Sequence, residues 1–269
     1  MKDRVQVLIP AYDEAANLPY LFARLFPALD ALRRPWELLI VDDGSTDETG
    51  ALIGRLSRGR PVSVVHHSTN LGPGAAFVTG FCTLLDRVSD QAPIITLEAD
   101  GTSDLTILPE MLSKFEQGAD VVLASVYHPR GGLRHTAAYR RVLSGGANWM
   151  LRTLLDMPDI YTFSSFYRIY RAEILRRALN VYGLRLIEEP GFAAVVELLV
   201  RLRRMGARIE EVPMILDSTR RKGTSRMRVG RTVRGYLRVM ARERLAMAPV
   251  RQMVETELRR SKACGERGE

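Results

Sequence analysis

Residues 37–49 read ELLIVDDGSTDET, and the fold turns on this stretch. Leu38, Leu39, Ile40 and Val41 form an unbroken apolar run, the pattern of a strand buried on both faces. Asp42, Asp43, Gly44 and Ser45 then interrupt it with turn and cap residues, and helical spacing resumes over residues 47–58. The same unit recurs on either side. VQVLI at 5–9 precedes a helical pattern at 17–31, and VSVV at 62–65 precedes one that runs to about residue 85. IITLE at 94–98 precedes a helix at 104–117, and DVVLASV at 120–126 is a fifth strand. Strands alternating with helices predict an α/β fold: a mostly parallel, Rossmann-like sheet flanked by helices.

The alternation fades further on. A long helix is expected over 137–155, with Leu143, Ala147, Met150, Leu151 and Leu154 on one face. Residues 161–170 are rich in aromatic and hydroxyl side chains. A helix is expected over 192–205, a strand over 208–216, a basic glycine-containing segment over 217–230 and a basic helix over 231–258. These patterns divide the chain into a main domain, 1–230, and a basic amphipathic helix and tail, 231–269.

The 269 residues suit one large domain, and 46% hydrophobic with 26% charged residues suits a folded globular chain. No run of 18 apolar residues occurs, so no transmembrane helix is expected. The N-terminus lacks the long apolar segment of a signal peptide. Two cysteines, Cys82 and Cys264, support neither a disulfide framework nor a zinc site, and a cytoplasmic location is expected. The four histidines lack metal-ligand spacing and read as structural or exposed. Charge is uneven. Residues 201–269 carry 19 Lys and Arg against 8 Asp and Glu, whereas residues 1–200 carry 20 against 23. A basic end of this kind suits an anionic partner or a solubilising face. It lacks a recognisable nucleic-acid module, so no nucleic-acid partner is expected.

In an open parallel sheet, ligands bind beyond the carboxyl ends of the strands. Those ends carry Pro10 to Glu14, Val41 to Ser45, Asn70 to Gly74, and Glu98-Ala99-Asp100. Each segment alone is also an ordinary turn or cap; their succession at four strand ends is the signal. Carboxylates gathered at one edge call for a cation, and a hard ion such as Mg²⁺ or Mn²⁺ shared with phosphates fits. Gly72-Pro73-Gly74 follows the third strand, and Phe77 stands where a third glycine would complete a dinucleotide fingerprint. The fingerprint fails, which counts against a dehydrogenase. A nucleotidyltransferase would carry a glycine-rich loop with arginine after the first strand, where this chain has Pro10 to Glu14.

The segments VLIPAYDEAANL (7–18), ELLIVDDGSTDET (37–49), NLGPGAAFVTG (70–80), EADGTSD (98–104), RRVLSGGAN (140–148), SSFYRIYRAEIL (164–175), IEEVPM (209–214) and RRKGTSRMR (220–228) carry a resemblance. Together they resemble the family-two glycosyltransferases of GT-A fold, and within them the polyprenol-phosphate (dolichol-phosphate mannosyltransferase) branch, over roughly residues 5–230. The resemblance implies nucleotide contacts at Pro10, Tyr12 and Glu14, base contacts at Val41 and Asp43, and an Asp-x-Asp equivalent at Glu98-Ala99-Asp100. It implies a metal on Asp100 and Thr102, a catalytic part for Asp100 and Arg168, and phosphate clamping by Arg220 and Arg226. The chain departs from the family pattern at Glu98 (usually Asp), Val126 (often Arg) and Phe166 (often Gly).

The implied reaction is inverting, metal-assisted transfer of a hexose from a nucleotide-diphosphate sugar to a polyprenyl phosphate. The alternative is a nucleotide-sugar-binding protein without that activity. Glu188, Glu189 and Glu197 are candidate bases should the acceptor be an alcohol. A lipid acceptor implies peripheral contact with the inner face of an anionic membrane. The expected contact is the C-terminal helix, through Tyr236, Leu237, Met240, Leu245, Met247 and Val250 with Arg234, Arg238, Arg242 and Arg244.

Overall fold

The computed structural model describes residues 3–223 and 229–245. Nine strands and eight α-helices are seen among them. In chain order they are β1 (Val5–Ala11), α1 (Leu18–Asp30), β2 (Trp36–Asp42), α2 (Thr49–Leu56), β3 (Val62–His66), α3 (Pro73–Leu85), β4 (Pro93–Thr96), α4 (Leu108–Glu116) and β5 (Val121–Ser125). Then follow β6 (Gly132–Arg134), α5 (Ala138–Leu154), β7 (Arg168–Arg171), α6 (Ala172–Tyr182), α7 (Ala194–Arg204), β8 (Ile209–Pro213), β9 (Ile215–Asp217) and α8 (Val229–Leu245).

Seven strands form one sheet in the order β3-β2-β1-β4-β7-β5-β8. All neighbours are parallel except β7, which runs antiparallel to both β4 and β5. β1 pairs with β2 from Val5↔Trp36 to Ala11↔Asp42, so their carboxyl ends finish level. This is the expected α/β architecture, with the apolar runs in the interior of the sheet. β4 and β5 are buried along their whole length, while β3, at one edge, is only partly covered. The two faces carry separate cores. Leu8, Phe77, Phe81, Tyr170 and Leu198 belong to one, and Ile9, Phe22, Leu25, Leu112 and Tyr167 to the other. Alternate residues of one strand thus feed opposite cores, as the period of two requires.

Three elements differ from the sequence expectation. β7 comes from the aromatic segment, which showed no alternation because it is inserted between two strands and covered on both faces. The expected strand over 208–216 divides at Met214: β8 joins the main sheet, and β9 pairs with β6 in a two-stranded ribbon. The long helix forms as expected, yet Leu143 is 54% exposed, so its apolar side is not wholly turned to the core. The 230/231 boundary is also not a packing boundary. Tyr236, Val239 and Met240 of α8 are buried in the same core as Phe77 and Leu198.

Candidate donor site at the carboxyl edge of the sheet

The loops after β1 and β2 are stitched together. Asp13, held at a left-handed φ of 47°, accepts hydrogen bonds on Oδ1 from Thr46 N (2.7 Å), Thr46 Oγ1 (3.2 Å) and Asp47 N (3.3 Å). Its own N–H donates to Ser45 Oγ at 2.9 Å, and Glu14 N donates to Thr49 Oγ1 at 2.7 Å. The DDGSTD segment is therefore a clip between two strand ends as well as a turn. Gly44 has φ +71°, and a Cβ there would lie 2.4 Å from the Thr69 carbonyl carbon. Only glycine lets the β2 loop and the loop after β3 approach so closely.

Asp43 closes that second loop. Its carboxylate, 3% exposed as a residue, accepts from Leu71 N (3.0 Å) and Gly72 N (2.7 Å) and pairs with His67 Nδ1 at 2.7 Å. His67 Nε2 in turn meets Thr79 Oγ1 at 3.0 Å on α3. Asp43 thus fixes the shape of the cradle. His67 is structural, as expected, but its link between Asp43 and α3 was not legible in the sequence. Gly72, at φ +91°, lies against the Pro190 carbonyl, where a Cβ would approach within 2.2 Å.

The EADGTSD segment supplies the second half of the site. Asp100 is 5% exposed. Its Oδ1 accepts from Thr102 N (2.9 Å) and Thr102 Oγ1 (2.7 Å). Its Oδ2 is held by a cation: Arg221 donates from Nε at 2.8 Å and also from Nη2. The next residue, Lys222, donates its N–H to Asn17 Oδ1 at 2.7 Å, and Asn17 Nδ2 donates to Glu14 Oε2 at 2.6 Å. Adjacent residues lie one Cα–Cα step of about 3.8 Å apart. Asp100 and the β1 loop are therefore spanned by a single dipeptide, and residues 218–222 form a strap across the mouth of the site.

Glu98 does not share this arrangement. Its Oε1 accepts from Phe166 N (3.0 Å) and its Oε2 from Ser103 Oγ (2.7 Å). Burial and the neighbouring Asp100 charge push its carboxyl up from the usual range. The residue where the family usually has aspartate thus anchors the 163–168 segment, and Asp100 is the carboxylate left for a cation. Thr102, expected as a metal ligand, spends its hydroxyl proton on Asp100, and its oxygen lone pairs remain.

Arg168 requires a correction. It is 0% exposed, at the start of β7. Its guanidinium donates to Ser165 O (2.8 Å), Val195 O (2.7 Å), Phe163 O (2.6 Å) and Tyr170 Oη (3.2 Å). A cation so enclosed positions the 163–166 loop and does not touch a substrate. Of the two clamp arginines, Arg220 lies in a short 3₁₀ turn before Arg221, and its buried Nη1 has no hydrogen-bond partner among the described residues. Arg226 lies outside the described residues. The cation that meets Asp100 is Arg221.

The three candidate bases also have other partners. Glu197 is fully buried between Arg201 (2.8 Å) and Arg242 (2.5 Å). Glu189 is held at both oxygens by Arg238, at 2.8 and 2.7 Å. Burial opposes ionisation of Glu188, but hydrogen bonds from Arg201 and Arg185 hold its carboxyl below the usual range. Glu188 is thereby a weaker base than a free carboxylate, and all three are engaged by arginines. They anchor α8 through Arg238 and Arg242, and Tyr236 and Met240 point into the core. Met247 and Val250 lie outside the described residues.

The sequence profile described as "Glycosyl transferase family 2" matches residues 6–179. The chain belongs to that family. A polyprenol monophosphomannose synthase of Mycolicibacterium smegmatis is 34% identical over 226 residues, covering 83% of this chain and 81% of the relative. An undecaprenyl-phosphate mannosyltransferase of Micrococcus luteus is 32% identical, covering 84% and 88%. Among solved structures, glucosyl-3-phosphoglycerate synthase from Mycobacterium tuberculosis, in complex with Mn²⁺, UDP and phosphoglyceric acid, shares the fold. It has a TM-score of 0.61 at 18% identity, over 89% of this chain and 76% of that one. This protein is a family-two glycosyltransferase of GT-A fold, similar to the polyprenol-phosphate mannosyltransferases.

Among the described residues no group of three or more His, Cys, Asp or Glu could enclose a metal ion. Asp100 still fits the Mg²⁺ or Mn²⁺ expected from the sequence in one respect: its Oδ2 already holds a positive group. A hard divalent ion that shares donor phosphates needs only one or two protein carboxylates.

Proposed function

We propose that this glycosyltransferase moves a hexose, mannose first among candidates, to a polyprenyl phosphate with inversion at the anomeric carbon. The carrying observation is the Asp100–Arg221 pair at the mouth of the cradle. A carboxylate and a cation strap at the edge where nucleotides bind suit a diphosphate bridged through a metal ion. In this reading Pro10, Tyr12, Glu14, Val41 and Asp43 line the nucleotide, and Ala99 lies beside it. Asp100 holds the metal with the Thr102 oxygen, and Arg220 and Arg221 reach the diphosphate. The cation would supply charge stabilisation at the departing β-phosphate. The Phe166 ring packs in the core against Phe77 and Phe192.

The acceptor follows from the absence of a free base among the named candidates. An acceptor alcohol needs a carboxylate to take its proton. Glu188, Glu189 and Glu197 are instead tied to arginines. A phosphate monoester is largely ionised at neutral pH, with a second pKa of about 6. Its oxygen attacks the anomeric carbon while the bond to the donor's β-phosphate oxygen breaks. The nucleoside diphosphate leaves with the electron pair, and no proton must be moved. The names of the relatives point to the same acceptor class. The lipid would be met at the cytoplasmic membrane surface.

The test is a donor screen with the full chain, Mg²⁺ or Mn²⁺, and undecaprenyl phosphate in detergent. The expected result is nucleoside diphosphate released in step with lipid-linked sugar. Donor binding without transfer to any polyprenyl phosphate would reject the reading and leave a nucleotide-sugar-binding protein.

A further inference from the structure

The loop that closes the donor cradle rests on a second segment. Gly74 N, in the first turn of α3, donates to the Pro190 carbonyl at 3.2 Å. A Cβ at Gly74 would lie 2.1 Å from the Glu189 carbonyl oxygen, and one at Gly72 would lie 2.2 Å from that of Pro190. Backbone carbonyls thus fill the space that side chains would take at both glycines. One of the orphan N–H groups at the amino end of α3 is spent on this contact. The backbone of 189–190 therefore supports the same loop whose Leu71 and Gly72 N–H groups are held by Asp43.

Side chains of α7 and α8 hold that segment in turn. Glu197, in the first turn of α7, accepts on Oε2 from the N–H groups of Glu188 and Glu189, both at 2.8 Å. The Glu189 carboxylate is buried, and Arg238 of α8 grips it from Nε at 2.8 Å and Nη2 at 2.7 Å. Arg242 Nη2 stands 3.5 Å from Glu189 Oε1. A bidentate pair fixes orientation as well as distance. Gly235 lets α8 approach, since a Cβ there would lie 2.8 Å from the Ala193 Cβ and 3.3 Å from Glu189 Oε2.

We infer that Glu189 is a positioning residue for the sugar donor: its carboxylate seats α8 through Arg238, its backbone carries Gly72 and Gly74, and the cradle shaped by Asp43 keeps its form only while that link holds. Glu189 acts through the loop and not on the reacting atoms. The inference rests on the reading that this cradle takes the nucleotide. It gives α8 a part in donor binding. Asp100 is held by other groups, Thr102 and Arg221. Loss of Glu189 should therefore weaken the hold on the nucleotide and leave the contribution of a metal ion intact.

Glu189→Ala is a clean variant, because the Arg238 side chain is half-exposed and Arg242 keeps Glu197 as its partner. No cation is left buried and unpaired, so the variant should fold. Calorimetry on the full chain with ADP, CDP, GDP and UDP, each with and without Mn²⁺, tests the inference. The nucleotide that the wild type binds most tightly should bind Glu189→Ala at least about threefold more weakly, by the same factor with and without Mn²⁺. Without any nucleotide, hydrogen exchange at Leu71 and Gly72 should be faster in the variant. Glu189→Gln, which keeps an acceptor for Arg238, should regain most of the affinity. Gly74→Ala, which presses on the Glu189 carbonyl and leaves the charges in place, should reproduce the loss. Equal affinity and equal exchange in Glu189→Ala would overturn the inference. So would a loss confined to the mixtures with Mn²⁺, which would place the effect at Asp100. A smaller binding-competent fraction at unchanged affinity would also overturn it, since that is a folding role alone. A wild type that binds none of the four nucleotides would instead reject the donor-site reading, and the inference with it.

Discussion

Asp100 accepts a cation from its own chain, and that contact sets a competition. Arg221 must leave Oδ2 before a divalent ion can take it. Hydrogen bonds to charged groups contribute about 1.5–3 kcal/mol. Arg221→Ala should therefore raise the affinity for Mn²⁺ alone by roughly tenfold, about 1.4 kcal/mol. The same change should weaken nucleoside diphosphate binding in saturating Mn²⁺, since a phosphate partner is lost. Calorimetry with each ligand separates the two effects; Mn²⁺ affinity that is unchanged or lower would show that Arg221 does not compete. At this scale the sequence was informative about carboxylates and less so about arginines. Asp43 and Asp100 were legible because strand ends place them at one edge. Arg221 was not, because it sits in a run of five cations within nine residues, and only the strap's hold on Asn17 selects which one reaches Asp100. Arg168 was given a catalytic part by the resemblance alone, and full burial of an arginine is seldom expected from sequence. Four acceptors from the surrounding loops make its burial tolerable.

Among the elements, α8 is held by buried charge as well as by apolar packing. Glu197 and Glu243 are 0 and 2% exposed, and Arg201 lies between them at 2.8 and 2.9 Å. Removing one member of such a network leaves the others buried and unpaired, at a cost of about 3–5 kcal/mol. Glu197→Ala should lower the melting temperature clearly, and hydrogen exchange should rise in α8 before it rises in β1 or β2. Unchanged protection of α8 would show that the network does not hold the helix. The parallel units were legible because each repeats one pattern, an apolar run followed by turn residues and a helix. β7 was not, since a strand covered on both faces carries no alternation, and its Arg168-Ile169-Tyr170-Arg171 sequence mixes charge with an aromatic. The helical period of α5 was legible, but period alone does not say which apolar residues face inward. Leu143 and Leu151 both fit the pattern, and only the second is buried.

Over the whole molecule, the charge asymmetry divides between two uses. Part of the basic end is neutralised internally, by Glu188, Glu189, Glu197 and Glu243 on Arg201, Arg204, Arg238 and Arg242. Arg221, from the same basic end, instead meets Asp100 at the site, and Arg231 and Arg234 are exposed on α8. Composition shows the excess of charge but not that division, which depends on contacts between residues about 40–50 positions apart. The central claim is that the carboxyl edge of the sheet holds a nucleoside diphosphate through a metal ion on Asp100. Isothermal calorimetry of nucleoside diphosphate with and without Mn²⁺, on the wild type and on Asp100→Asn, tests it most directly. The wild type should bind at least about tenfold more tightly with Mn²⁺, and Asp100→Asn should lose that gain while keeping its melting temperature. Equal Mn²⁺-dependent affinity in the two proteins would contradict the account.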